Sequence, residues 1–199
     1  AGSPPLRGGL RADLEPLLEK CDVVAIGPGL GQGVWGRVFF NMLRDSDKPV
    51  IMDADAPNLL ATQPTRGANR IITPHPGEAA RLLESSAEKI EIDRFRAVGE
   101  LQAEFGGVVV LKGAGTLVKS SRERPPSVCA HGNPGMATAG MGDVLTGMIA
   151  ALVAQGLDLE TAAESGVALH AAAADLSAPE GMRGMIASDL FPDIRQLLG

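Results

Sequence analysis

The stretch GNPGMATAGMGDVLTG at residues 132–147 is a loop that runs into a helix, and it dictates what the rest of the fold must supply. Gly132, Gly135, Gly140 and Gly142 allow conformations and close approaches that a Cβ would block, so backbone N–H groups can turn toward a ligand. From Asp143 onward, Val144, Leu145, Met148, Ile149, Leu152 and Val153 recur at helical spacing up to Gly156. Asp143 therefore sits in the first turn of a predicted amphipathic helix. Unpaired N–H groups and partial positive charge at such an end favour a phosphate. Two roles for Asp143 stay open from this stretch alone. One is a carboxylate stabilising its own helix; the other is a general base beside an anion site.

Working outward, four short apolar runs precede this stretch, each followed by a loop rich in glycine or charge. Residues 22–26 (DVVAI), with the length of a strand covered on both faces, lead into Gly27-Pro28-Gly29-Leu30-Gly31. The buried run 49–52 (PVIM) leads into Asp53-Ala54-Asp55, and 70–73 (RIIT) leads into Pro74-His75-Pro76-Gly77-Glu78. The run 108–111 (VVVL) leads into Lys112-Gly113-Ala114-Gly115-Thr116. Helical patterns separate the runs: a short one over 13–19, then 35–43, a helix after Asp55, one after Gly77, and a long one over 88–105 that ends at Gly106 and Gly107. Strands alternating with helices predict an α/β fold with a mainly parallel sheet flanked by helices. Ligands bind outside the carboxyl ends of such strands, which brings every one of these loops to one edge.

Each loop has a structural and a functional reading. Gly29 and Gly31 form either a tight turn or a path for a ligand to the backbone. Asp53 suits hydroxyl recognition, or magnesium through water, whereas Asp55 reads better as a helix cap, with Pro57 early in that helix. Alternation points both carboxylates the same way if the strand reaches them. His75, held between two prolines, stands at a strand end. Lys112 is either a phosphate partner or a solvated hairpin residue; its loop is not GxxxxGK[ST]. A further strand is expected at 117–119 and a short edge strand within 120–131. A second helix covers 159–176, where His170 reads as a packed or hydrogen-bonded core histidine. Residues 187–192 read as a helix start capped by Ser188 or Asp189.

The chain has 199 residues, 45% of them hydrophobic, and this points to one sizeable core over residues 10–199, with 1–9 (AGSPPLRGG) a linker or tag-like terminus. A net charge of −6 without clusters of Lys/Arg and aromatics argues against nucleic-acid and anionic-membrane surfaces. Cys21 and Cys129 lack metal-ligand spacing and are expected to be buried thiols, so no metal ligand set is assigned. The chain shows neither a signal-peptide pattern nor an apolar run long enough to span a bilayer, and a cytoplasmic location is expected.

Taken together and in this order, GPGLG (27–31), DADAPN (53–58), TPHPGE (73–78), LKGAGT (111–116) and NPGMATAGMGDVLTG (133–147) resemble the bacterial NAD(P)H-hydrate dehydratase domain of the ribokinase-like superfamily. The resemblance implies a three-layer ribokinase-like fold and an ADP-dependent dehydration of hydrated NADH or NADPH back to NAD(P)H through a phosphorylated intermediate, giving AMP and phosphate. It implies ADP (or ATP) and Mg2+ as co-substrate and cofactor, a homo-oligomer, and a link or pairing with an NAD(P)H-hydrate epimerase domain. It assigns the substrate to Gly29 or Gly31 and to His75, beside Asp53 read from its strand end, and the nucleotide to Lys112, Gly113, Ala114, Gly115, Thr116, Asn133, Gly140 and Gly142. Asp143 becomes the base acting on the substrate hydroxyl. Two departures from the family pattern are Ala139, where glycine is usual, and Pro57, where leucine is usual. Family domains also begin with further strands and helices before the region matching Asp13, which implies an incomplete domain and, if nothing supplies that segment, an exposed sheet edge. Two other readings are a vitamin-precursor kinase of the same superfamily and a non-catalytic nucleotide-binding fragment; TPHPGE together with GPGLG favours the dehydratase.

Overall fold

The computed structural model describes residues 10–199, so the linker reading of 1–9 lies outside the described residues. Six strands form one sheet in the order β1-β2-β3-β4-β5-β6. They are β1 (Val24–Ile26), β2 (Val50–Met52), β3 (Arg70–Ile72), β4 (Val108–Leu111), β5 (Thr116–Lys119) and β6 (Ser127–Cys129). The first four are parallel, and β5 and β6 are added antiparallel. The α-helices are α1 (Leu10–Lys20), α2 (Val34–Leu43), α3 (Asp55–Thr62), α4 (Pro76–Leu82), α5 (Ala87–Ile92), α6 (Arg94–Phe105), α7 (Met141–Ala154), α8 (Leu159–Ser177) and α9 (Leu190–Leu198).

The three layers follow from the two-residue period of a strand. Val50, Met52, Ile72, Val109 and Leu111 point to one face and pack on α2 to α6 through Phe40, Leu59, Leu60, Leu101 and Phe105. Their neighbours Ile51, Ile71, Val108 and Val110 point to the other face and meet Leu145 and Ile149 of α7 and Ala162, Ala163 and Val167 of α8. Because β1 to β4 are laid down in one direction, crossovers of the same hand deposit α2 through α6 on one side. The other side is left for α7 and α8, with α9 packed outside α8.

The structure revises several expectations in detail. β1 is an edge strand, with Ala25 exposed and only Ile26 buried, so it is not covered on both faces. The long helix expected over 88–105 is broken at Asp93, whose φ of −141° and ψ of 80° are not helical and whose side chain caps α6 by accepting the Arg96 N–H at 2.9 Å. Cys21 and Cys129 are unpaired and only half-buried. The end near 187–192 opens with a 3-10 turn over Ala187–Asp189, and Asp189 accepts the Ile186 N–H at 2.8 Å instead of capping α9. Among the described residues no helix is long and apolar enough to cross a membrane.

Candidate active site at the carboxyl ends of the parallel strands

The four parallel strands end on the same edge, and so do the loops they feed. After β1 the chain turns through Gly27, whose φ is 131°; a Cβ there would stand 1.6 Å from the Asp53 carbonyl oxygen, so only glycine lets the two strand ends meet. Gly29 and Gly31 lie exposed beyond it, with open space where a Cβ would be.

The two carboxylates after β2 point in different directions. Regular strand geometry ends at Met52, and Ala54 takes φ 51° and ψ −109°, a conformation that strains a residue with a Cβ. Asp53 is thereby turned inward and is only 1% exposed. Its Oδ1 accepts the Thr73 hydroxyl at 2.8 Å and the Lys112 ammonium at 2.5 Å. Asp55 faces the glycine loop, accepting the Gly31 N–H at 2.9 Å and the Gln32 amide at 3.1 Å. It clamps that loop rather than capping α3, whose N-cap is Ala54 without a side-chain bond.

Burial alone would push the Asp53 carboxyl up; the charge of Lys112 and the hydrogen bonds from Lys112 and Thr73 outweigh it and hold Asp53 below its ordinary value. Lys112 is one-fifth exposed and stands 4.0 Å from Glu78 as well. Glu78 is buried, and burial raises its pKa against the pull of Lys112 and of the His75 N–H. His75 is the N-cap of α4. Its Nδ1 accepts the Gly77 and Glu78 N–H groups, Glu78 Oε2 accepts the His75 N–H at 2.9 Å, and His75 Nε2 lies 3.4 Å from Glu78 Oε1. The imidazole remains half exposed at the site edge. The sequence assigned no role to Thr73 or Glu78; the signal present was their place as the first and last residues of TPHPGE, directly after the end of β3.

The helix entry closes the site. Gly140 takes φ 88° at the N-cap of α7, and the first bond of the helix runs from the Val144 N–H to the Gly140 carbonyl at 3.0 Å. The N–H groups of Met141, Gly142 and Asp143 therefore precede the ladder and face out of the helix end. A Cβ on Gly142 would stand 3.3 Å from both Asp53 Oδ2 and Lys112 Nζ, so the helix end seats directly on that ion pair. Asp143 is exposed and makes no side-chain hydrogen bond or ion pair with a described residue. Ala139 lies in the turn before Gly140 without a left-handed φ, so it brings no backbone strain. Asn133 turns away from the other loops. Its Oδ1 accepts the Gly135 N–H, and its amide donates to the Ala174 carbonyl and to Asp175, which ties the loop to α8.

His170 of α8 is 6% exposed, lies against the Met141 backbone and has no partner for Nε2. Burial, aided by the Lys112 charge, lowers its pKa from 6.5 to about 4. The unfolded chain thus takes up a proton that folded His170 refuses, and stability falls as pH drops from 6.5 to about 4. This window is expected to cost on the order of 3 kcal/mol. Denaturant titrations of the parent and of His170→Gln at the two ends of that window check it; a variant that loses as much stability as the parent would clear His170 of the effect.

The strand-end loops, the buried ion pair and the free helix end together describe an α/β protein whose glycine-rich loops meet a helix N-terminus with unladdered N–H groups at one sheet edge. The comparisons specify it further. The NAD(P)H-hydrate dehydratase family profile matches residues 6–196, and the chain belongs to that family. It is 51% identical over 187 residues to the bifunctional NAD(P)H-hydrate repair enzyme of Coxiella burnetii, covering 94% of this chain but only 38% of that protein. An ADP/ATP-dependent NAD(P)H-hydrate dehydratase from Bacillus subtilis, co-crystallized with ATP/Mg2+, superposes with a TM-score of 0.80 at 32% identity, over 89% of this chain and 64% of that one. A ribokinase-like superfamily protein from Enterococcus faecalis gives 0.82 at 27% identity, over 94% and 66%. The fold is the expected ribokinase-like one, and the chain spans well under half the length of the bifunctional relative.

Proposed function

We propose that residues 10–199 act as one dehydratase domain that restores NADH and NADPH from their hydrated forms at the expense of ADP. The observation that carries this reading is the α7 end, where Gly142 rests on the Asp53–Lys112 pair and is followed by the exposed Asp143 carboxylate in a first turn with three unladdered N–H groups. Gly29, Gly31 and His75 would line the hydrated nicotinamide, with the exposed His75 ring available to its polar groups. Lys112 to Thr116 with Gly140 and Gly142 would hold the nucleotide, and Asn133 would brace the loop that carries them. Asp53 would act through Lys112 rather than by meeting a substrate hydroxyl, since it is only 1% exposed and its Oδ1 already accepts two hydrogen bonds.

Hydroxide is a poor leaving group from the reduced ring, whereas phosphate is a good one. Asp143 would take the proton of the substrate hydroxyl as its oxygen attacks the terminal phosphoryl of ADP; the bond to AMP breaks while the N–H groups of α7 stabilise the transferring charge. The ring nitrogen's lone pair then expels phosphate, the neighbouring carbon gives its proton to water, and the dihydropyridine is restored. Magnesium would neutralise charge on the nucleotide phosphates when bound; among the described residues there is no group of three or more His, Cys, Asp or Glu that could hold a metal ion. A homo-oligomer and a partner epimerase domain belong to the same proposal; the bifunctional name of the Coxiella relative supports the second.

Incubation with hydrated NADH, ADP and magnesium tests the reading, with the absorbance of NADH expected to rise. A phosphorylated product that accumulates without NADH would make the chain a kinase. ADP binding without turnover on ADP or ATP would make it a binding fragment.

A further inference from the structure

Arg94 is the first residue of α6, set there by the break at Asp93, and its side chain leaves the helix to meet the back of the Lys112–Thr116 loop. Its Nη2 donates to the carbonyls of Leu111 at 3.1 Å and Lys112 at 3.3 Å, and Nη1 donates to the carbonyl of Ala114. The side chain is 14% exposed, with Nε 4.0 Å from Glu91. A Cβ on Gly113 would stand 2.9 Å from Nη2, so the loop lies directly on the guanidinium.

Three carbonyls gathered on one side fix where the adjoining amides go, because in a trans peptide the N–H of the next residue points opposite to the carbonyl. The Lys112 N–H obeys this: its partner is the Pro74 carbonyl at 2.9 Å, across toward β3 and away from Arg94. The same rule turns the N–H groups of Gly113 and Gly115 away from Arg94, and neither donates to a described residue. We propose that Arg94 is a positioning residue for the nucleotide: by collecting the carbonyls of Leu111, Lys112 and Ala114 it holds the Gly113 and Gly115 amides presented on the opposite face of the loop. A guanidinium suits this task because its planar fork reaches several acceptors at once, whereas an ammonium is a point charge on a flexible stem. This inference rests on the reading of the loop as the adenine-nucleotide site.

The test uses Arg94→Gln and Arg94→Lys in the full chain, with ADP as the probe. Calorimetric Kd and kinetic KM for ADP are expected to rise about tenfold or more in both, the scale of losing hydrogen bonds to a charged group. The KM for hydrated NADH is expected to stay near the parent value. A purely structural role would instead lower the melting temperature and the active fraction while leaving both constants alone, and that result overturns the proposal. If Arg94→Gln does not fold, Arg94→Lys decides alone, with a parent-like ADP Kd counting against it. A parent that binds no ADP overturns both this inference and the nucleotide-site reading, whereas parent binding with unchanged variants overturns the role of Arg94 only.

Discussion

Asp143→Asn is expected to lower kcat by about 10²–10⁴-fold while ADP binds as it does to the parent, because the variant loses a proton acceptor and keeps the helix end. Asp143 is exposed, has no side-chain partner among the described residues, and follows the glycine that sits on the Asp53–Lys112 pair. A carboxylate kept only for the helix dipole would be worth about 0.3–1 kcal/mol, and its neutral amide would alter stability slightly and turnover not at all. Steady-state kinetics with calorimetry separate the two. A kcat equal to the parent's would return Asp143 to the role of a helix-end charge.

The second large effect concerns the buried pair. Lys112→Met is expected to destabilise the chain by about 3–5 kcal/mol, because it strands a carboxylate that is 1% exposed. Asp53→Asn added to Lys112→Met removes the stranded charge and should recover most of that loss. ADP affinity should stay weak in both, since neither carries the ammonium. Denaturant midpoints and ADP calorimetry on the parent, the single and the double variant are the measurements. A double variant no more stable than the single would show that the pair is not the source of the loss. Parent-like ADP binding in either would remove Lys112 from the nucleotide site.

The strands were legible because each is a short apolar run ended by a glycine or a charge, and a sheet buried on two faces leaves no other place for such runs. The gathering of the loops followed from the same alternation of strand and helix. Details that depend on a single backbone angle were not legible. Asp53 and Asp55 share a direction in a regular strand, and only the φ of Ala54 separates them, an angle that alanine does not advertise. The helical spacing from 88 to 105 continues across Asp93, so periodicity could not reveal a break made by a side chain that prefers to cap. The apolar run 22–26 reads as a covered strand by itself, and only the family resemblance announced the exposed edge that β1 forms among the described residues. His75 and Glu78 were visible as a motif, but their reciprocal capping needs the turn geometry between two prolines.

The unusual angle at Ala54 has a mechanical consequence. Two residues adjacent to it in sequence hold opposite walls of the site, Asp53 gripping Lys112 and Asp55 gripping Gly31. The strand end is thus a yoke rather than two separate anchors. A ligand that draws Lys112 off Asp53 would act one residue from the turn at Ala54 and two from the clamp on the glycine loop. Whatever factor by which an occupant of one wall changes affinity at the other, linkage requires the reverse effect to carry the same factor.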